Sequence, residues 1–127
     1  MSEKVKTFVP GEEVAIALGF VHEGDEEIES VEAVFVREGS DEEILLLGGA
    51  RREVSEGGAG GGSSRYTTRL GARIGCQAVS GEYRCARLSV RDRFDDDWDF
   101  ADAERPNLVV RVRRTPRRLE VTTSEFL

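Results

Sequence analysis

In 127 residues no apolar run approaches the roughly 18 that a membrane-spanning helix requires, so a helical span is excluded. The opening residues, Met1-Ser2-Glu3-Lys4-Val5-Lys6, lack the apolar stretch of a secretory signal, and a cytoplasmic location is the expectation. Histidine occurs once, as His22 beside acids, with no second imidazole to share a metal and no evident nucleophile to activate. His22 therefore reads as a surface turn residue, and catalysis is not expected. Helical patterning is missing too: no segment of ten residues keeps apolar positions at i, i+3, i+4 and i+7, and a single turn around 97–104 is the one candidate. Lysine is scarce, since arginine supplies 16 of the 18 basic residues. Arginine pairs carboxylates through parallel hydrogen bonds, so networks with Glu and Asp are expected.

The two cysteines are Cys76 and Cys85. A two-residue hairpin at Ser80 and Gly81 would set them opposite each other at disulfide distance. The same register puts Leu70, Ala72 and Ile74 on the face carrying Arg87, Ser89 and Arg91, so the apolar faces disagree. Two reduced, half-buried thiols are the expectation.

Charge is abundant and uneven. The net charge is −7, residues 1–64 carrying −10 and residues 65–127 carrying +3. That balance argues against a general binder of nucleic acid or anionic membrane. It suits acidic and basic strands that neutralise each other in one sheet, or association with a partner of opposite sign.

Period-2 alternation dominates the rest. Val14, Ile16, Leu18 and Phe20 alternate with the small residues Ala15, Ala17 and Gly19, a strand whose second face also invites close packing. Strands follow at 28–37 and 44–47, the latter ended by Gly48 and Gly49, with a weaker one at 51–55. The Gly-rich segment 57–64 reads as a flexible loop within one domain spanning 1–127. It is no phosphate loop, because Ser63 stands where lysine is needed and no helix follows. Tyr66, Thr68, Leu70, Ala72 and Ile74 alternate through another strand. In 81–91 the parity changes midway, Tyr83 and Cys85 sharing one face and Leu88 and Val90 the other, so one extra residue near Ala86 and Arg87 predicts a bulge. Strands at 108–112 and 119–122 complete the set. Seven or eight short strands separated by Gly and Asp turns predict an all-β, two-sheet antiparallel β-sandwich.

Gly81-Glu82-Tyr83-Arg84-Cys85 followed by Leu88-x-Val90-x-Asp92 resembles the tyrosine corner and strand F of bacterial immunoglobulin-like modules. The resemblance implies an immunoglobulin-like sandwich in which the Tyr83 hydroxyl bonds back to nearby backbone across an arch. It also implies non-catalytic work: spacing, adhesion or recognition. Val79 stands where that pattern usually has Asp, the early strand lacks a second Cys, and no Trp lies between Val14 and Leu47. A disulfide-linked antibody-type core is thus excluded.

Three clusters remain as candidate sites. Asp92, Asp95, Asp97 and Asp99 supply the oxygens Ca²⁺ favours, and Asp95, Asp97 and Asp99 match positions 1, 3 and 5 of a calcium loop. Phe100 and Pro106 then occupy the positions needing Gly and Glu, so such a site would lean on a second loop, Asp25-Glu26-Glu27. Trp98 and Phe100 suit either an exposed anchor or a plug over an open sandwich end, the plug being favoured. Arg111, Arg113, Arg114, Arg117 and Arg118 form a basic cluster that could pair with the acidic strands or grip an anion or nucleic acid. No aromatics interleave with it, which argues against single-stranded nucleic acid. The leading expectation is a module for protein contact or self-association, using Asp95, Asp97, Trp98, Asp99 and Phe100 with Arg111, Arg113 and Arg114, and no cofactor. The alternatives are a Ca²⁺-dependent module and an anion-binding domain.

Overall fold

A computed structural model describes residues 3–23, 28–52, 63–94, 96–101, 104–114 and 120–127. It is all-β. The strands are β1 (Lys4–Phe8), β2 (Glu13–Glu23), β3 (Ile28–Arg37), β4 (Glu43–Arg52), β5 (Ser63–Arg73), β6 (Gly81–Asp92), β7 (Asp97–Asp99) and β8 (Leu108–Val112). The 25–27 loop, the bulk of the Gly-rich loop, Asp95, Arg117 and Arg118 lie outside the described residues.

Hydrogen bonding runs through the strands in the order β1-β8-β6-β3-β4-β5-β2, with β7 also paired to β6. The sheet is mixed, because β1 and β8 run parallel while the remaining pairs are antiparallel. The sequence predicts two separate antiparallel sheets; what forms is one continuous sheet, curled almost into a barrel. The curl follows from chain length. β1 and β2 sit at opposite ends of the strand order, yet only residues 9–12 connect them. At about 3.4 Å per residue that link reaches no more than roughly 17 Å, so the two ends must approach each other. Pro10 and Gly11 make the turn: the Glu12 N–H donates to Val9 O at 3.1 Å, and Gly11 takes φ +95°. Such a turn requires a positive φ at its third residue, which glycine adopts without penalty.

The continuity of the sheet depends on β4, which changes partner along its length. Its residues 43–49 pair with β3, and its residues from Leu47 onward pair with β5. Gly48 and Gly49, read from sequence as a strand end, are where the strand passes from one neighbour to the other. A Cβ on Gly48 would collide with the Arg69 carbonyl, and the Thr68 hydroxyl donates to Gly49 O at 2.6 Å. Glycine here permits a close backbone approach rather than breaking the strand.

The core lies inside the curl. Val14, Val31, Ala33, Phe35, Leu46, Tyr66, Leu70 and Tyr83 are buried there, and the alternate positions of each strand face out. The bulge in β6 forms as its parity demands: Val34 pairs with Arg87 but Phe35 with Cys85, leaving Ala86 unmatched. Tyr83 before the bulge and Leu88, Val90 and Asp92 after it consequently all turn inward. Ser80 and Gly81 belong to an arch, not a hairpin, since β5 and β6 are not paired and the Tyr83 hydroxyl donates to Val79 O at 2.6 Å. The cysteines are free; Cys76 is exposed rather than half-buried, while Cys85 is half-buried, and burial pushes its thiol pKa up.

Two strands were not legible in the sequence. β1 is short and largely exposed, and β7 replaces the helical turn expected from Asp97. Further on, the Glu104 N–H donates to Ala101 O at 2.9 Å. Residues 120–122 carry no strand.

Candidate functional site

β6 presents its arginines outward and gathers carboxylates around them. Arg84 Nε and Nη2 hold both oxygens of Glu3 at 2.8 and 3.1 Å, and Nη1 holds Glu38 at 2.9 Å. Glu82, two residues along, accepts from Arg111 Nη2 at 2.6 Å and lies 3.5 Å from Arg84. Further on, Arg87 meets Asp99 at 3.3 Å and Arg91 meets Asp97 at 2.9 Å. The hydrogen bonds from Arg84, Arg111 and Arg91 hold the carboxyls of Glu3, Glu82 and Asp97, respectively, below their ordinary pKa, and Glu3 in turn raises that of Arg84.

This arrangement separates the residues that the sequence groups together. Register explains it. β3 occupies one edge of β6, so β8 and β7 share the other: β8 pairs at 81–84 and β7 at 89–91. Asp97 and Asp99 sit at one end of β6, Arg111 at the opposite end. Arg113 is exposed with its N–H on Phe8 O, and the Arg114 guanidinium donates to Ala78 O at 3.1 Å.

The carboxylates weighed for Ca²⁺ point different ways. Asp92 is fully buried; its Oδ1 accepts from the Phe94 and Asp96 N–H groups at 2.8 and 3.0 Å, fixing the β6–β7 turn, and its Oδ2 has no hydrogen-bond partner. Asp97 and Asp99 face outward onto Arg91 and Arg87. Among the described residues no group of three His, Cys, Asp or Glu side chains is placed to hold a metal ion. Phe100 packs partly buried against the core, meeting Phe20 edge-on at 5.5 Å while Phe20 stacks on Tyr66 at 5.4 Å. Trp98, opposite Val90, remains 39% exposed at the edge.

A second outward surface, across β2, β5 and β4, was not singled out from sequence. Ala15, Ala17 and Gly19 of β2 face out beside Arg65, Thr67, Arg69 and Gly71 of β5. On β4, Leu45 and Leu47 stand 45% and 53% exposed, and Arg51 lies opposite Thr67. Arg65 and Arg69 flank Thr67 at i±2, so Arg51 starts about 7 Å from each of them, and they start about 13 Å from each other along β5. Among the described residues none of the three has a carboxylate partner; within this row only Arg73 is paired, with Glu13 at 3.0 Å. Small residues floor a shallow groove between them, lined by Ala17, Gly19, Gly49, Arg51, Thr67 and Arg69. The signal was present in the alternation of 65–73: once Tyr66, Thr68 and Leu70 point inward, Arg65, Arg69 and Arg73 must point outward together.

Comparison with other proteins adds no relative: no protein-family model, no curated protein and no solved structure matches this chain.

Proposed function

We propose that this chain is a non-catalytic, immunoglobulin-like module that binds an acidic protein surface through the outer face of β4, β5 and β2. One observation carries the reading. The arginines of β6 are tied to carboxylates, yet Arg51, Arg65 and Arg69, beside exposed Leu45 and Leu47, have no carboxylate partner among the described residues. Exposed apolar side chains next to unpaired arginines have the composition of an interface centre and its polar rim.

The immunoglobulin-like assignment is supported by connectivity. With β2, β3, β5, β6 and β8 read as strands B, C, E, F and G, the neighbours G-F-C and E-B fall where a two-layer sandwich needs them. β4 then links the layers by crossing between them at Gly48 and Gly49, as strands do at sandwich corners. The Tyr83–Val79 bond at the start of strand F supports the same reading, since a tyrosine corner makes such a bond.

The test is affinity capture at low and high salt, comparing the natural chain with the triple variant Arg51→Glu, Arg65→Glu, Arg69→Glu and with Leu47→Asp. Acidic partners held by the natural chain should be released by salt and lost from both variants. An identical set captured by all three proteins refutes the reading, as does substrate turnover by the purified chain.

A further inference from the structure

We infer that the free edge of β2 is a docking site for an extended strand, and that its occupant is the segment 120–127 of a second copy of this chain. The inference does not depend on the outer-face reading, because it concerns backbone groups along an edge rather than side chains on a face.

The hydrogen-bond phase of β2 is set at its start. The Ile74 N–H donates to Glu12 O at 2.8 Å, and pairing with β5 then continues from Glu13–Arg73 to Glu23–Ser63. Antiparallel ladders alternate, so the even positions of β2 bond to β5 and the N–H and C=O groups of 13, 15, 17, 19 and 21 point to the other edge. No described strand pairs there. An open edge is ordinarily kept short or guarded by charge or proline. β1, the opposite edge strand, follows that rule with five residues, two of them Lys4 and Lys6. β2 does not: it runs for 11 residues, and 14–21 contain neither charge nor proline.

Space beside this edge is shaped and apolar. A groove of about 290 Å³ separates β2 from β1 and β8; Val5, Phe8, Ile16 and Val109 help line it, and among the described residues Lys4 and Lys6 are its only charged lining residues. A second groove, mostly apolar but with Glu104 in its lining, continues along Leu18 and Phe20 toward Leu88, Phe100 and Pro106.

The segment 120–127, Glu-Val-Thr-Thr-Ser-Glu-Phe-Leu, complements it. Eight residues extend about 26 Å, the length of β2 from 14 to 21. Val121, Phe126 and Leu127 are 84%, 103% and 117% exposed, and no strand forms in the segment. Its composition favours strand, and its only charges are the carboxylates Glu120 and Glu125, opposite in sign to Lys4 and Lys6. Addition of such a strand supplies main-chain hydrogen bonds for affinity and apolar side chains for the grooves. The contact is heterologous, edge of one copy to segment of the next.

Complementation tests it. Ala17→Pro removes one outward N–H from the edge and leaves the segment intact; Val121→Asp with Phe126→Asp spoils the segment and leaves the edge intact. Light scattering from micromolar to submillimolar concentration should show the natural chain growing beyond its 14.1 kDa monomer. Each variant alone should stay monomeric, and their mixture should form a one-to-one pair. Ala17→Lys replaces Ala17→Pro if the proline variant loses its β-sheet dichroism. Adding a peptide of residues 120–127 to the segment-spoiled variant should shift the amide resonances of β2. A natural chain that stays monomeric, as it would if the segment docked on its own copy, overturns the inference. So does a variant that still associates alone, or a mixture that does not pair.

Discussion

β5 and β6 both carry a row of outward arginines, and the rows have opposite fates. On β6, Arg84, Arg87 and Arg91 each find a carboxylate, drawn from β7, from Glu82 within β6 itself, and from Glu3 and Glu38 far away in sequence. On β5, Arg73 finds Glu13, while Arg65 lies opposite Val21 and Arg69 opposite Ala17, with no carboxylate partner among the described residues. Identical chemistry thus becomes internal bracing on one strand and an available surface on the other. The neighbour strand decides, not the arginine.

The largest expected effect comes from disturbing the seam that holds the β5 row in place. Gly48→Ala drives a methyl into the Arg69 carbonyl, and β4 or β5 must shift; overpacking of this kind costs about 3 kcal/mol. Differential scanning calorimetry should register a drop of roughly 10 °C, from about 3–4 °C per kcal/mol for a domain of this size. Next is Tyr83→Phe, which deletes the hydroxyl bond to Val79 O and leaves a carbonyl unsatisfied at the arch leading into β6, for about 1–3 kcal/mol.

Smaller, and more direct, is a matched pair. Arg84→Gln should lower the melting temperature by a few degrees because a bidentate hub is lost, whereas Arg69→Gln should leave it within about 1 °C. Equal effects would erase the distinction between the rows. Acid titration sharpens the same contrast. The folded-state pKa values of Glu3, Glu82 and Asp97 lie below their ordinary values of 4.5, 4.5 and 3.8. Their contribution is therefore present above the ordinary values and is lost as pH falls through the depressed ones. Arg84→Gln with Arg91→Gln should flatten the melting temperature below about pH 4.5, and Arg65→Gln with Arg69→Gln should not. The smallest effect expected is that of millimolar Ca²⁺. With Asp97 and Asp99 turned onto arginines and Asp92 Oδ1 bonded within its turn, calorimetry should show no heat and thermal scans no shift.

Much of the fold was legible before any coordinates. Tyr83, Cys85, Leu88 and Val90 carry the bulge in their parity, and Gly81-x-Tyr83 carries the arch, because both are local consequences of which face a side chain must take. β1 was missed since five residues with two lysines show no apolar alternation, and β7 since Asp97-Trp98-Asp99 is a strand only by virtue of the partner that β6 offers. Gly48 and Gly49 mislead for a related reason: locally they weaken a strand, but here close approach of β5 favours glycine. At the candidate site, alternation put Arg65, Arg69 and Arg73 together, but no local rule said that two of them would lack carboxylates.

Sequence alone determined the all-β character and which residues turn inward, because a strand's two-residue period is written into the chain and burial enforces it. Tertiary structure decided which strands lie side by side, and with that which arginines are braced and which edge of β2 stays open. Those outcomes depend on register between segments tens of residues apart, and pairing energies of that kind are fixed only when the whole sheet has closed.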